Sequence, residues 1–447
     1  MTPDWTPEQI IALAPDAPSA RAGRGLAVVA NWVTRGHDGR ALWGECPGSG
    51  QNPYQTSIDL SEPAFKCTCP SRKFPCKHAL GLFLLFAGQP AAFPDEAPPA
   101  WVAEWRAKRA QQASRKEAAK AGAAVREETA DERGKKEAAK NKRASDRRAK
   151  VTAGLAELEL WLRDLARQGL AAAQSQPARW WEQTAARLVD AQAPGAARRV
   201  REMSSLSLSG EGRAEQLLAR CGLLHLLLEG FKRIEGLPAP VREDIRAAVG
   251  WAHKEDELLA GEGTRDEWLV LGQRTYEEDT LRVRRTWLRG RSGARGALVI
   301  DFAARGQVLD VGLVPGTRVD AELVFYPGNY PLRAAVKERF AAPGPFARFA
   351  GHRTIADLLT AYAEAVSRNP WLEAFPAPLA AVVPVARGER WFVRDAAARM
   401  LPVSPRFDEG WKLVALGGGH PLGLFGEWDG RELLPLGAWV GGRYVRL

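Results

Sequence analysis

The 447-residue chain is poor in the features that define several protein classes. Its five cysteines, three of them in one short cluster, are too few for a disulfide framework. The longest apolar run, residues 79–87, is shorter than the roughly 20 residues that cross a bilayer. The opening Met1-Thr-Pro-Asp-Trp has neither the basic nor the apolar region of a signal peptide. We therefore expect a cytoplasmic, reduced protein with no membrane association.

Recognisable catalytic motifs are also lacking. No serine or cysteine sits in a nucleophile elbow. The glycines at 417–419 precede His420 and Pro421 rather than the Lys-Ser/Thr of a phosphate loop, so that motif is weak. The carboxylate clusters at 255–257 and 277–279 are typical of solvated faces. We predict that the protein is not an enzyme.

Positive charge is concentrated in one segment. Residues 101–150 hold 16 Lys and Arg against 8 Asp and Glu, so they supply most of the net charge of +10. This segment has few large apolar residues and no heptad repeat, which argues against a coiled coil. It could wrap nucleic acid or an acidic partner by counterion release, or serve as a solvated spacer.

The composition divides the chain into four regions and predicts a multidomain α+β fold. The N-terminal unit is expected to combine a zinc-binding hairpin with helices, followed by a charged helical linker, a helical bundle and a β-rich C-terminal part with one helix near 354–367. The regions are 1–100, 101–150, 151–256 and 257–447.

Local patterns of apolar residues predict the positions of individual helices and strands. Leu26, Val29 and Trp32 predict a helix that ends near Gly36. Thr152 is a candidate N-cap for the next helical face. The residues of that face are Leu155, Leu158, Leu162 and Leu165. Strands are predicted at 40–45, 54–60 and 318–325, as a hairpin of 297–302 with 308–313, and around Trp391, Leu413, Leu424 and Trp439.

The strongest motif is Cys67-x-Cys69-x6-Cys76-x-His78. Three thiolates and one imidazole form a closed tetrahedral set for Zn²⁺ and leave no position for a substrate water. The alternatives are unrelated buried thiols or a Cys67–Cys69 disulfide, which would be strained across one intervening residue. We predict one structural Zn²⁺.

These residues resemble the SWIM zinc finger, whose pattern is Cys-x-Cys-x(n)-Cys-x-His. The flanking Leu42-Trp-Gly-Glu-Cys-Pro-Gly-Ser-Gly and the run from Cys69 to Leu82 are similar to bacterial stand-alone SWIM proteins. The resemblance implies the four ligands and a role in binding DNA or protein. It also implies MoxR-type AAA ATPases and von Willebrand A-domain proteins as partners, because relatives are often encoded beside them.

Four cations surround the ligands: Lys66, Arg72, Lys73 and Lys77. They could contact nucleic-acid phosphates or a partner, or they could compensate the charge of three thiolates around Zn²⁺. The remaining cysteines are predicted to be structural. Cys46 is expected to be buried, Cys221 and His225 are expected to line a core face, and Trp180 and Trp181 are expected to pack in the core.

The sequence thus favours a zinc-dependent, non-catalytic interaction adaptor in a multiprotein assembly. The alternative is a DNA-binding protein that uses the basic rim of the finger and the basic linker. These hypotheses differ in salt dependence, because phosphate contacts weaken steeply with ionic strength and an apolar interface does not.

Overall fold

The structure is a computed structural model. It describes residues 5, 7–15, 17–48, 52–60, 64–71, 73, 75–125, 130–206, 212–251, 253–278, 281–304, 312–341 and 343–447. Within them it contains an N-terminal α+β unit, a long helical connection, a helical region and a β-rich region, which confirms the predicted fold class. No described helix is long and apolar enough to cross a membrane.

The N-terminal unit packs three helices against a four-stranded antiparallel sheet. The helices are α1 (Pro7–Ala12), α2 (Ala17–Leu26) and α3 (Lys77–Gly88). The strands, in sheet order, are β1 (Thr34–His37), β2 (Ala41–Cys46), β3 (Tyr54–Asp59) and β4 (Ala64–Cys67). Short 3-10 turns cover Val29–Asn31 and Pro90–Ala92. The core of the unit lies between the sheet and α3, where Leu82, Phe83 and Ile58 are buried.

The predicted helix ending near Gly36 is wrong, because α2 stops at Leu26 and Gly36 belongs to β1. The Trp32 indole donates a hydrogen bond to the Leu26 carbonyl at 2.9 Å, so it covers the end of the helix instead of continuing it. Gly36 faces Trp43, and a Cβ there would lie 2.8 Å from the indole ring. The apolar spacing therefore reflects a helix end followed by a strand, not one helix.

Two helices span the charged segment. They are α4 (Ala100–Val125) and α5 (Ala130–Gln168), so the linker is helical in its described parts. The first turn of α4 packs on the N-terminal unit: Val102 is fully buried with Ala41 and Trp43. Arg106 also donates to the Asp38 carboxylate at 2.6 Å. The charged segment is therefore anchored at its start.

The helical region continues directly from α5. Its further helices are α6 (Leu170–Gln174), α7 (Ala178–Asp190), α8 (Pro194–Leu206), α9 (Arg213–Lys232), α10 (Ala239–Val249) and α11 (Glu255–Leu259), with a 3-10 turn at Ile234–Gly236. The predicted leucine face of α5 is buried, and Trp181 is fully buried. Thr152 is not an N-cap. Its hydroxyl donates to the Arg148 carbonyl inside α5, which lets the helix run through.

The first part of the β-rich region is a closed barrel. Its strands are β5 (Thr264–Glu278), β6 (Leu281–Gly290), β7 (Gly296–Ala304), β8 (Thr317–Phe325) and β9 (Arg333–Arg339), with the short β10 (Gly344–Pro345) beside β8. Pairing of β8 with β9 closes the ring. The predicted hairpin paired residues 297–302 with 308–313. In the structure β7 pairs with β6 and β9 instead, and residues 312 and 313 are not in a strand. Residues 308–311 lie outside the described residues.

The chain ends in a second, six-stranded antiparallel sheet with two helices. These elements are α12 (Ile355–Arg368), β11 (Phe375–Arg387), β12 (Arg390–Arg394), β13 (Met400–Pro402), α13 (Gly410–Gly417), β14 (Leu422–Trp428), β15 (Leu433–Val440) and β16 (Arg443–Arg446). The strands predicted around Trp391, Leu424 and Trp439 are present. Leu413 instead lies in α13. This helix has only 8 residues, which is too short to show a helical period in the sequence.

A buried ionic cluster joins the barrel to this sheet. Glu427 of β14 is 5% exposed, and it accepts hydrogen bonds from Arg285 at 3.0 Å and from the Trp287 indole at 2.8 Å. Arg274 lies 3.3 Å from its second oxygen. The two arginines hold the pKa of Glu427 below its usual range although burial alone would raise it. The barrel and the second sheet are thus joined by specific polar contacts as well as by apolar packing.

Candidate metal centre

The four predicted ligands come from the end of a hairpin and the beginning of a helix. Cys67 is the last residue of β4, and Cys69 lies in the turn that follows. Cys76 immediately precedes α3, and His78 lies in its first turn. A Cys-x-Cys turn and a Cys-x-His helix start are thus brought face to face, so a metal bound between them would clamp the hairpin to α3.

The turn carrying the first two cysteines is held by backbone contacts to β3. The Thr68 amide donates to the Gln55 carbonyl at 3.0 Å, and the Gln55 amide donates to the Thr68 hydroxyl at 2.9 Å. Thr56, directly opposite Cys67 in the β3–β4 register, donates to the Cys67 sulfur at 3.3 Å. These bonds orient the Cys67 sulfur before any metal binds.

The spacing of the donor atoms fits one tetrahedral Zn²⁺. One donor atom from each of the four residues lies within 4.8 Å of the others. His78 Nδ1 lies 3.8 Å from the Cys67 sulfur and 4.0 Å from the Cys76 sulfur. A tetrahedron with zinc bonds of about 2.0–2.3 Å places its ligand atoms roughly 3.5–3.8 Å apart. The chemistry of the donors and their mutual distances therefore fit one structural zinc ion.

The thiols of the cluster differ in acidity. The hydrogen bond from Cys76 is the main cause that lowers the pKa of Cys67 to about 4, and His78 and Thr56 add to it. The pKa of Cys76 is raised, because its thiol donates to Cys67 and is buried. Burial also raises the pKa of Cys69. One thiolate is thus in place at neutral pH, and a dication would favour ionisation of the other two.

The site is well enclosed by the N-terminal core. Cys76 and His78 are buried, whereas Cys67 and Cys69 are half-buried. The imidazole of His78 packs on the ring of Tyr54, with the ring centroids 5.1 Å apart. A donor set that is buried on the helix side and completed by four protein atoms is a structural site, since catalytic zinc keeps a position open for water.

The described cations of the predicted rim are solvent-exposed. Lys66 lies on β4, Lys73 in the loop before α3, and Lys77 at the first position of α3. Arg72 lies outside the described residues. The lysines flank the site on its outer side, where they can both balance the charge of the thiolates and meet an anionic partner.

The other cysteines do not extend the quartet. Cys46 is buried, and its thiol donates to the Pro47 carbonyl at 3.6 Å, as predicted for a structural cysteine. Cys221 is half-buried against the helical core. His225, one turn further along α9, is exposed, so its predicted place on the core face is wrong. Among the described residues, the quartet is the only group of three or more Cys, His, Asp or Glu side chains that is arranged to hold a metal ion.

Sequence reasoning missed two supporting residues. Thr56 and Tyr54 contact the ligands from β3, but neither belongs to the Cys/His spacing. The signal that could have found Thr56 is the hairpin register, because directly opposite residues of an antiparallel pair place their side chains close together on one face.

A closed Cys₃His set on a hairpin and a helix defines a structural zinc finger. The SWIM zinc finger family model matches residues 54–86, which contain all four ligands. The model of the SWIM-associated four-helix bundle domain matches residues 146–249, from the second half of α5 through α10. The chain therefore contains a SWIM zinc finger and a SWIM-associated helical domain. No curated protein and no solved structure matches the chain.

Proposed function

We propose that the protein is a non-catalytic, zinc-dependent interaction adaptor in a cytoplasmic multiprotein assembly. The observation that supports this proposal most directly is the composition of α9, which is apolar on its outer as well as its inner side. Leu224 and Leu228 are buried in the helical core. Leu218 and Leu226 are 60% and 46% exposed. Large apolar side chains that cluster on an exposed helix face often mark a protein interface.

The outer face of α9 is defined by Leu218, Ala219, Gly222, His225 and Leu226, which are all exposed. A Cβ at Gly222 would meet no atom within 4 Å, so this face is open. Such a surface is mainly apolar, with the exposed Glu215 at one edge and no exposed Lys or Arg within it, which suits a protein interface better than a nucleic-acid interface. We therefore place the partner contact on this helix.

The zinc finger has a supporting role in this proposal. Its four donors hold β4 and α3 together, and α4 begins on the same unit through Val102. Zinc would therefore preserve the position from which the charged helices extend. The SWIM resemblance suggests MoxR-type AAA ATPases and von Willebrand A-domain proteins as the partners, and these are the first to test.

The adaptor proposal predicts a salt-tolerant complex with one of these partners from the same organism. The zinc-loaded full chain is titrated with each partner by calorimetry at low and physiological salt. We expect the double variant Leu218→Glu/Leu226→Glu to weaken binding roughly tenfold or more, because two apolar contacts become charged. The control Leu359→Glu changes an exposed leucine of α12 and is expected to leave binding unchanged.

Two results would oppose this proposal. If neither partner binds the zinc-loaded chain, the proposed assembly is wrong. If a partner binds and both the double variant and the control retain full affinity, the interface does not include α9.

We propose DNA binding as the second candidate, and the exposed Lys66, Lys73 and Lys77 support it. Duplex DNA is titrated into the chain over a salt series. Replacing these three lysines with glutamine should lower the slope of log affinity against log salt by about 2–3, since each phosphate contact contributes about 0.9. The matched control replaces three exposed cations elsewhere, Lys254, Arg431 and Arg443. Equal slopes for both triple variants would exclude the finger's rim as the DNA contact.

A further inference from the structure

The barrel carries a cavity of about 530 Å³ that is unrelated to the zinc site. Its floor is formed by the first half of β5, the end of β6 and the beginning of β8, and residues 345–350 form its opposite wall. This volume falls within the range of about 300–1,000 Å³ that is typical of small-molecule sites. The cavity is therefore large enough for a ligand of moderate size.

Positive charge dominates the lining of this cavity. It includes four arginines and one glutamate, so three positive charges are left uncompensated by lining residues. Glu267 is fully engaged, because Arg291 and Arg318 each donate to it at 2.5 Å. The other two arginines, Arg289 and Arg348, have no acidic side chain as a partner within the described residues.

Arg289 is the more informative of these two cations. It is half-buried at the end of β6, and burial lowers the pKa of its guanidinium with no anion beside it to oppose this. The same charge adds to burial in lowering the pKa of His352. A cation withdrawn from water without a partner costs free energy, which an anionic ligand would recover.

The remaining wall is apolar and well supported. Leu269 is buried, and Phe346 and Phe349 are half-buried. Both phenylalanines pack on the Trp439 indole, with ring centroids 5.5 and 4.5 Å from it. The wall is thus held in place by the second sheet, and it offers an organic group a surface that needs no rearrangement.

We propose that this cavity binds a small organic phosphate. The phosphate group is taken by the guanidinium groups of Arg289 and Arg348, and the organic part lies against Phe346 and Phe349. A dianion suits a surplus of three charges better than a monoanion. The planar fork of arginine also matches phosphate oxygens. This inference is independent of the adaptor proposal, because it concerns a different region of the chain.

Phenyl phosphate is the probe for the test, since it combines a dianion with an aromatic ring. The zinc-loaded full chain is titrated by calorimetry with phenyl phosphate, inorganic phosphate, phenylacetate and phenol. We expect phenyl phosphate to bind most tightly, at least about tenfold more tightly than phenylacetate, and phenol not to bind. Equal binding of phenylacetate, or no binding of phenyl phosphate up to about 10 mM, would overturn the proposal.

Variants locate the site. Arg289→Gln should weaken phenyl phosphate binding roughly tenfold or more, and Arg289→Lys should weaken it less, because lysine keeps the charge and loses the fork. Arg348→Gln, at an exposed position where folding is not at risk, should also weaken it, about threefold to tenfold. The control Arg431→Gln changes an exposed arginine outside the cavity lining. Equal weakening by the control, or full affinity in both Arg289→Gln and Arg348→Gln, would place the anion elsewhere.

Discussion

At the scale of single residues, metal binding depends on the ionisation of the three cysteine thiols. Three sulfur atoms share a small volume, and only Cys67 has a pKa low enough to be ionised at neutral pH without metal. Zn²⁺ changes this balance, because two positive charges at bonding distance favour all three thiolates. Metal binding is therefore coupled both to proton release and to the joining of β4 with α3.

The first prediction concerns the ligands. Cys76→Ser or His78→Ala is expected to lose the bound zinc and to disorder roughly residues 40–90, because the metal bonds hold the hairpin on α3. Zinc content is measured by atomic emission on the purified chain, and order by hydrogen exchange. Cys221→Ser is the matched control, since this half-buried thiol lies outside the quartet. Unchanged zinc content in Cys76→Ser and His78→Ala would refute the assignment.

The ligands were predictable from the sequence because they are close along the chain. Cys67, Cys69, Cys76 and His78 fall within one hairpin end and one helix start, so spacing alone carries their geometry. Thr56 was not predictable in this way, since its contact with Cys67 depends on the register of two strands. Arg289 and Phe349 are farther apart still, and only the folded barrel brings them to one cavity.

At the scale of elements, close contact between α2 and α3 positions the second half of the zinc site. A Cβ at Gly81 would lie 2.6 Å from the Cβ of Leu26, and a Cβ at Gly23 would lie 2.7 Å from the Cβ of Leu80. Both distances are far shorter than van der Waals contact. The two glycines therefore let the helices approach until their backbones nearly touch, which fixes the helix that carries Cys76 and His78.

We expect Gly81→Ala to destabilise the N-terminal unit by about 1–3 kcal/mol, because the added methyl group overpacks the α2–α3 contact. Gly88→Ala is the matched control in the same helix. A Cβ there meets no atom within 4 Å, so alanine should be neutral or slightly stabilising. Thermal unfolding of the zinc-loaded chain measures both. Equal midpoints for the two variants would show that the helices can separate without cost.

Hydrophobic periodicity predicted a helix or strand correctly where a single pattern extended over the whole element. The leucine face of α5 and the alternating strand β8 are confirmed for this reason. It failed at the junctions. The run from Leu26 to Gly36 crosses a helix end and a strand, and Leu413 lies in a helix too short to establish its own period. The hydroxyl of Thr152 is satisfied inside a helix as well as at its start, so residue type alone could not place it.

At the scale of the whole molecule, topology and docking were beyond sequence reasoning. The closure of the barrel requires β8 to pair with β9 as well as with β5, and parallel pairing of β7 with β9 is set by neither strand alone. Polar contacts then join the regions. Arg446 of β16 donates to the Ala14 carbonyl in the N-terminal unit at 3.0 Å. Such contacts link residues hundreds of positions apart and leave no local pattern.

Asp244 of α10 joins the helical region to the β-rich region. Its carboxylate accepts hydrogen bonds from the Asn329 amide at 2.9 Å and from the Asn369 side chain at 3.0 Å. Burial nevertheless raises the pKa of Asp244 from 3.8 to about 6. Because the folded carboxyl holds its proton more tightly than the unfolded one, stability at this contact increases as pH falls through about 6. The full increase is reached below the unfolded pKa.

We therefore expect the contact between α10 and the 326–330 segment to be stronger at pH 5 than at pH 7.5 by roughly 1 kcal/mol. Hydrogen exchange in this segment, corrected for the intrinsic pH dependence of exchange, gives the opening free energy at each pH. Asp244→Asn cannot titrate, so its opening free energy should lose this dependence. An identical pH dependence in the wild type and the variant would show that another titrating group controls the contact between α10 and the 326–330 segment.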